Sequence, residues 1–232
     1  MTATDAPELL RPPAADVRET TEIGRFLTWL ERERGLRFDG YDELHRWSVD
    51  DLDGFWSAVA AFFGVRFATP PERVLGRREM PGAEWFPGAT LNYAEHAVGT
   101  AGDDERVAVL AFSQTREPVE LTWGELRDQV ARARAGLQRL GVGRGDRVVA
   151  YLPNIPETLV AFLATASLGA IWASCAPEFG ARSVVDRFGQ VEPKVLLAVA
   201  GYGYGAKDVD RRGQVAEIRA GLPTVENVVH VP

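Results

Sequence analysis

The sequence predicts an α/β protein: an N-terminal helical and irregular wrapping segment, then part of a mostly parallel sheet covered by helices. Three observations predict it. From Arg147 onward, short apolar runs and amphipathic stretches alternate strictly up to the end of the chain. Those runs ("RVVAYL", "AIWASCA", "KVLLAV") are apolar at successive positions, as in strands buried on both faces. Before residue 99 the pattern is different, with helical spacing followed by a proline- and glycine-rich tract.

Residues 1–19, "MTATDAPELLRPPAADVRE", are acidic and Pro/Ala-rich and read as a flexible lead-in. They lack the basic and apolar regions of a signal peptide. Residues 20–98 form the N-terminal segment. Its first helix spans 20–35, with Thr20 or Thr21 as cap, Ile23, Phe26, Leu27 and Leu30 as the apolar stripe, and Gly35 as the stop. A second helix is expected after Ser48, where "SVDD" offers a capping box with Asp51, and Leu52, Phe55, Trp56, Val59 and Phe63 line one face. Residues 68–92 carry four prolines and three glycines and read as a long wandering segment wrapped over another surface.

Residues 99–232 form the sheet-containing part. "RVAVLAF" (106–112) and "PVELTW" (118–123) read as paired strands around a polar turn. Thr122 and Glu125 cap a long helix with Leu126, Val130, Ala133, Leu137 and Leu140 inward and Gly141 at its end. Strands at 147–152, 170–176, 194–199 and 226–231 then alternate with helices at 156–168, 181–191 and 211–220. In open parallel sheets ligands sit beyond the carboxyl ends of the strands, and here the loop after the last strand would fall past Pro232.

The 232 residues carry a net charge of −7 and no basic stripe, which excludes a dedicated nucleic-acid binder. Arg127, Arg132, Arg134 and Arg139 recur on one helix and read as a solvated face. From Thr158 to Ala176 no residue is charged, but Gly169 divides the run into a buried helix and a buried strand, so no membrane span is expected. One cysteine permits no internal disulfide, and a reducing cytoplasm is the expected setting.

Candidate chemistry is sparse. Cys175 is either a nucleophile or a small core residue. His45, His96 and His230 are scattered, no spacing ties one to the thiol, and the core reading is favoured. The same histidines give no metal spacing, and there is no CxxC. "GYGYGAKD" (201–208) follows a predicted strand and matches a dinucleotide motif through Gly201, Gly203 and Ala206, with Glu226 twenty residues on. That makes an NAD(P)-binding oxidoreductase the alternative enzyme class. "GVGRGD" (141–146) precedes a strand and reads as a helix end joined to a turn.

"LTWGEL" (121–126), "GVGRGDRVVAYLPNIPE" (141–157) and "FLATASLGAIWASCAPEF" (162–179) resemble the first blocks of the adenylate-forming acyl-CoA synthetases, whose catalytic unit is an AMP-binding adenylation domain. "EWFPGATLNYAEH" (84–96) resembles the N-terminal segment of the short-chain members. "WASCAPEFGARSVVDRFGQVEPKVL" (172–196) is similar to the acetoacetate-activating branch; the acetate-activating branch has Phe-Gly-Gly-Phe where this chain has Ala-Pro-Glu-Phe. The resemblance implies a ligase that uses ATP, Mg²⁺ and CoA on acetoacetate or a similar short acid. It also implies that the phosphate loop, the adenine- and ribose-binding elements and the mobile C-terminal domain follow in later sequence. The chain would then be an N-terminal portion, inactive alone, binding none of these cofactors tightly and open to complementation by a C-terminal chain. No catalytic residue and no metal ligand falls within it. A CoA-contacting Arg-Gly-Gly-Arg loop of related enzymes corresponds to Tyr204, Gly205, Ala206 and Lys207. Tyr204 departs from arginine there, and a plain surface loop is the competing reading; for the chain as a whole, a non-catalytic interaction module derived from a synthetase is the alternative outside the enzyme classes.

Overall fold

Thr122 shows how local sequence sets the fold. Its hydroxyl accepts from the Glu125 amide (3.2 Å), while the Glu125 carboxylate accepts from the Thr122 amide (2.9 Å). This reciprocal cap satisfies two donors that a helix start otherwise leaves unpaired. The computed structural model describes Pro12, residues 14–99 and residues 102–232. It divides into two compact units, one up to Leu91 and one from Asn92 to Pro232.

In the first unit a short turn of helix, α1 (Val17–Thr20), precedes α2 (Glu22–Arg34), α3 (Tyr41–Asp50) and α4 (Leu52–Phe62). The expected lead-in therefore ends in helix at Val17–Thr20, and residues 1–11 and 13 lie outside the described residues. Thr21 is the cap of α2, accepting from the Gly24 amide, and Gly35 closes it in a left-handed conformation. The expectation at Ser48 needs correction. Ser48 lies inside α3, which sequence reading missed, and Asp51 is itself the cap of α4, accepting from the Gly54 amide. The stripe on α4 also shifts: Phe55, Val59 and Phe62 pack on the core of Phe26, Leu30, Leu44 and Ala58, whereas Phe63 is 64% exposed.

Residues 68–91 fold back on themselves as an irregular hairpin, with bridges at Thr69–Thr90 and Leu75–Trp85. The Leu75 amide donates to Asp53 of α4 (3.2 Å), and Trp85 meets Trp56 edge to face. The prolines spread this pairing into isolated bridges because each removes a ladder donor.

The second unit opens with α5 (Tyr93–Ala97), then the antiparallel pair β1 (Val107–Ala111) and β2 (Val119–Thr122), then α6 (Trp123–Arg139). β3 (Arg147–Tyr151), α7 (Pro156–Ser167), β4 (Ile171–Cys175), α8 (Ala181–Phe188) and β5 (Val195–Val199) follow as expected. A hairpin, β6 (Gly201–Tyr204) with β7 (Lys207–Asp210), interrupts the alternation before α9 (Arg212–Gly221) and β8 (Asn227–Val231).

The main sheet has the order β4-β3-β5-β8, all parallel. Val148, Ala150, Val195 and Leu197 point toward α6 and α7; Val149, Tyr151, Leu196 and Ala198 point toward α8 and α9. Right-handed crossovers dictate this division: the chain runs outward from β3 to β4, then returns past β3 to β5 and β8, so its helices change face. Burying each of these valines and leucines contributes roughly 1.5–3 kcal/mol. Cys175 ends β4 at 4% exposure, a core residue as the sequence favoured.

Candidate functional site

The strand order reverses between β3 and β5, and the connections leaving their carboxyl ends part to opposite faces. A cleft opens at such a switch point in open α/β sheets. Here a cleft of about 460 Å³ lies there, lined by Pro153–Ile155 after β3, Ala200–Gly203 after β5, and the β1–β2 loop. Arg116 from that loop crosses it. Its guanidinium meets Glu157 of α7 (3.3 Å) and donates to the Pro232 carbonyl (3.0 Å). The second Glu157 oxygen is buried without a partner.

Behind the cleft stands a Tyr/Arg group. Tyr151, fully buried at the end of β3, places its hydroxyl 2.5 Å from the Pro177 carbonyl and 2.7 Å from that of Phe179. Burial pushes its pKa above the usual tyrosine value, with the Arg211 charge opposing, so it is a neutral donor. Arg211 donates to the Tyr202 hydroxyl (3.2 Å), with its guanidinium 5.4 Å from the Tyr202 ring centroid. That bond is the main reason its pKa is raised, and its Nε is buried with no partner. Arg187 lies over Phe179 (4.7 Å), so the loop after β4 is held from two sides.

The structure places Tyr204, Gly205, Ala206 and Lys207 together at the tip of the β6–β7 hairpin. Tyr204 and Lys207 are paired, and Gly205 takes a left-handed φ of 57°, the pattern of a two-residue turn that favours glycine. All four are exposed, and Tyr204 is 74% so. Lys207 is followed by Asp208, Asp210, Arg211 and Arg212; Asp210 is tied to Arg212 (2.7 Å), which holds its pKa at about 2. The tip cation is thus Lys207. Its charge and the bare Gly205 backbone fit an anionic phosphate.

The dinucleotide alternative is corrected by the same hairpin. That motif requires a strand–turn–helix, whereas helix begins only at Arg212. The glycines serve close packing: a Cβ on Gly201 would stand 2.6 Å from the Val209 carbonyl oxygen, and one on Gly203 2.6 Å from Thr115. Glu226 sits at the opposite end of the sheet, its amide donating to Lys194. Sequence reading also missed Arg116, Tyr202 and Arg211. The loop after the third parallel strand was the available signal for Tyr202 and Arg211, whereas Arg116, in the β1–β2 loop, had none. Among the described residues no group of three or more His, Cys, Asp or Glu side chains comes together to hold a metal. Among them, too, no helix is long and apolar enough to cross a membrane.

The family described as AMP-binding enzyme matches residues 95–232, and the acetyl-coenzyme A synthetase N-terminus matches residues 41–97. The chain belongs to the AMP-binding enzyme family. Within it, the chain is similar to acetoacetyl-CoA synthetases. That of Danio rerio is 40% identical over 94% of this chain and 32% of its own length. The acetoacetyl-coenzyme A synthetase of Rhizobium meliloti is 38% identical over 92% of this chain and 33% of its own. The solved acetoacetyl-CoA synthetase from Streptomyces lividans is 56% identical, with a TM-score of 0.92, over 97% of this chain and 35% of that one. The chain thus spans about a third of the length of these relatives.

Proposed function

We propose that this chain is the N-terminal portion of an acetoacetate–CoA ligase, and that its hairpin tip contacts CoA. The likeness to the Streptomyces lividans synthetase, 56% identity with a TM-score of 0.92 across 97% of the chain, carries the reading. In the reaction an acetoacetate carboxylate oxygen attacks the α-phosphorus of ATP and diphosphate leaves. The CoA sulfur then attacks the acyl carbon of the mixed anhydride, giving acetoacetyl-CoA and AMP. Adenylation turns a poor leaving group into a good one, and Mg²⁺ supplies charge neutralisation on the phosphates when bound.

This chain's own share is binding and framing. Lys207 meets a CoA phosphate as a point charge, and Gly205 lets backbone approach it. The switch-point cleft, with Arg116 across it, forms one wall of the substrate region. The phosphate-loop sequence of the resembled enzymes, a Ser/Thr/Gly-rich run ending in Pro-Lys, has no counterpart in the 232 residues, so adenylation needs further sequence that supplies it. The single buried cysteine suits a reducing compartment such as the cytoplasm. Pyrophosphate exchange with acetoacetate is the test. The purified chain alone is expected to give none, and turnover by it overturns the reading.

A further inference from the structure

A lone two-stranded hairpin is marginally stable in water. β6 and β7, four residues each, form a two-stranded sheet of their own. Only Gly201, Tyr202 and Val209 of these strands are half-buried, and the others are exposed. The direction in which the hairpin points is therefore set at its root. Arg211 closes that root. Its amide donates to the Ala200 carbonyl just before β6 (2.7 Å), and its carbonyl accepts from the Val215 amide of α9 (2.9 Å). With the backbone so fixed, the side chain turns back onto β6. It donates to the Tyr202 hydroxyl (3.2 Å) with the guanidinium 5.4 Å from the ring centroid. A planar guanidinium can bond the hydroxyl and lie against the ring together. The adjacent acid, Asp210, is taken by Arg212 (2.7 Å) and does not draw Arg211 away. The Arg211 Nε is buried with no partner. A surface arginine avoids that cost by reaching water, so this side chain is held inward against it.

We propose that Arg211 is a positioning residue: through Tyr202 it sets the pitch of the β6–β7 hairpin, and so the point at which Lys207 meets a CoA phosphate. This rests on the CoA contact proposed above and adds to it the residues that aim the tip. Tyr202 is the lever. It stands two residues before Tyr204, which pairs with Lys207, so the held ring lies roughly 7 Å along the strand from the tip pair. Gly203, between them, lies against Thr115 of the β1–β2 loop, where a Cβ would stand 2.6 Å away, and serves as the fulcrum. Released from Arg211, the hairpin pivots there, and a point charge at its tip loses a fixed phosphate partner even with Lys207 intact.

The test measures CoA affinity by amide shifts of the isotope-labelled chain, and amide exchange of the hairpin without CoA. Arg211→Gln is expected to speed exchange at the paired amides of β6 and β7 about tenfold and to weaken CoA about fivefold, with β3 and β5 as protected as before. Tyr202→Phe keeps the ring, loses the hydroxyl and should show the same changes to a smaller degree. Lys207→Ala should weaken CoA without loosening the hairpin. Adding Arg211→Gln to Lys207→Ala should weaken CoA no further, because a positioning residue acts through the residue it places. Additive losses would make Arg211 a direct contact and overturn the proposal. Unchanged exchange or unchanged affinity in Arg211→Gln also overturns it, as does lost protection of β3 and β5 in both Arg211→Gln and Tyr202→Phe. Absence of CoA shifts in the unsubstituted chain is a different result: it overturns the CoA reading itself and takes the positioning role with it.

Discussion

Tyr151 has one hydroxyl proton and two carbonyl oxygens within reach, those of Pro177 and Phe179. It therefore pins the loop after β4 to the end of β3 from inside the core. Tyr151→Phe removes the donor and leaves both carbonyls to find water. The expected cost is about 1–3 kcal/mol, read as a lower urea midpoint with unchanged slope. Faster amide exchange at Phe179 and Gly180 should accompany it. Equal midpoints would show that the bond adds nothing. The role was not legible beforehand. "RVVAYL" reads as an apolar strand, and only the register of β4 beside β3, with Cys175 opposite Tyr151, brings the loop within reach. Cys175 was legible, because an unaccompanied thiol in an apolar run is core by composition alone.

At the scale of elements, the hairpin of β6 and β7 is where sequence and structure part most. Gly201, Gly203 and Ala206 match a dinucleotide motif, but the two glycines let backbone and Thr115 approach, and Gly205 makes the turn. Four-residue strands of mixed polarity carry too little periodicity to announce themselves. The boundary at Asp51 failed for a related reason. Two helices separated by one residue leave no break in composition, so α3 went unread and the start of α4 was placed at Ser48. The crossover helices were legible by their apolar faces, although none of the three carries a side-chain cap; α7 is marked at its start by Pro156. For the hairpin, titration of isotope-labelled chain with millimolar CoA is expected to shift the amides of Tyr204–Lys207. In Lys207→Ala the shifts should shrink several-fold, since the charge that meets a phosphate is gone. Shifts that persist undiminished would make the tip an ordinary surface loop.

The sheet of the second unit is tied together near the amino ends of its strands by Asp146. Its carboxylate accepts from the Gly143 amide (2.8 Å) and from Lys194 before β5 (3.4 Å), and Lys194 also donates to Gly141 behind α6 (2.7 Å). The Gly143 bond is the main cause of its lowered pKa; burial opposes it, and Lys194 and Arg147 add to the lowering. A carboxylate depressed in the folded state stabilises above its unfolded pKa of about 3.9, and that contribution is lost as pH falls through the folded value. Asp210, at about 2, follows the same sign. Urea midpoints should therefore fall between about pH 5 and pH 2, and Asp146→Asn should be less stable at pH 6 with a shallower fall. Parallel slopes for the two proteins would remove Asp146 from the account. The alternation that builds this sheet was readable residue by residue. The cleft was not, because it exists only once β4 and β5 lie on opposite sides of β3.

β4 and β8, the outermost strands, have a hydrogen-bonded neighbour on one side each. A row of unsatisfied amides and carbonyls along both margins is a standing invitation for any extended peptide to extend the ladder. The net charge of −7 opposes such pairing between copies of this chain, so substitutions that remove acidic residues would favour it.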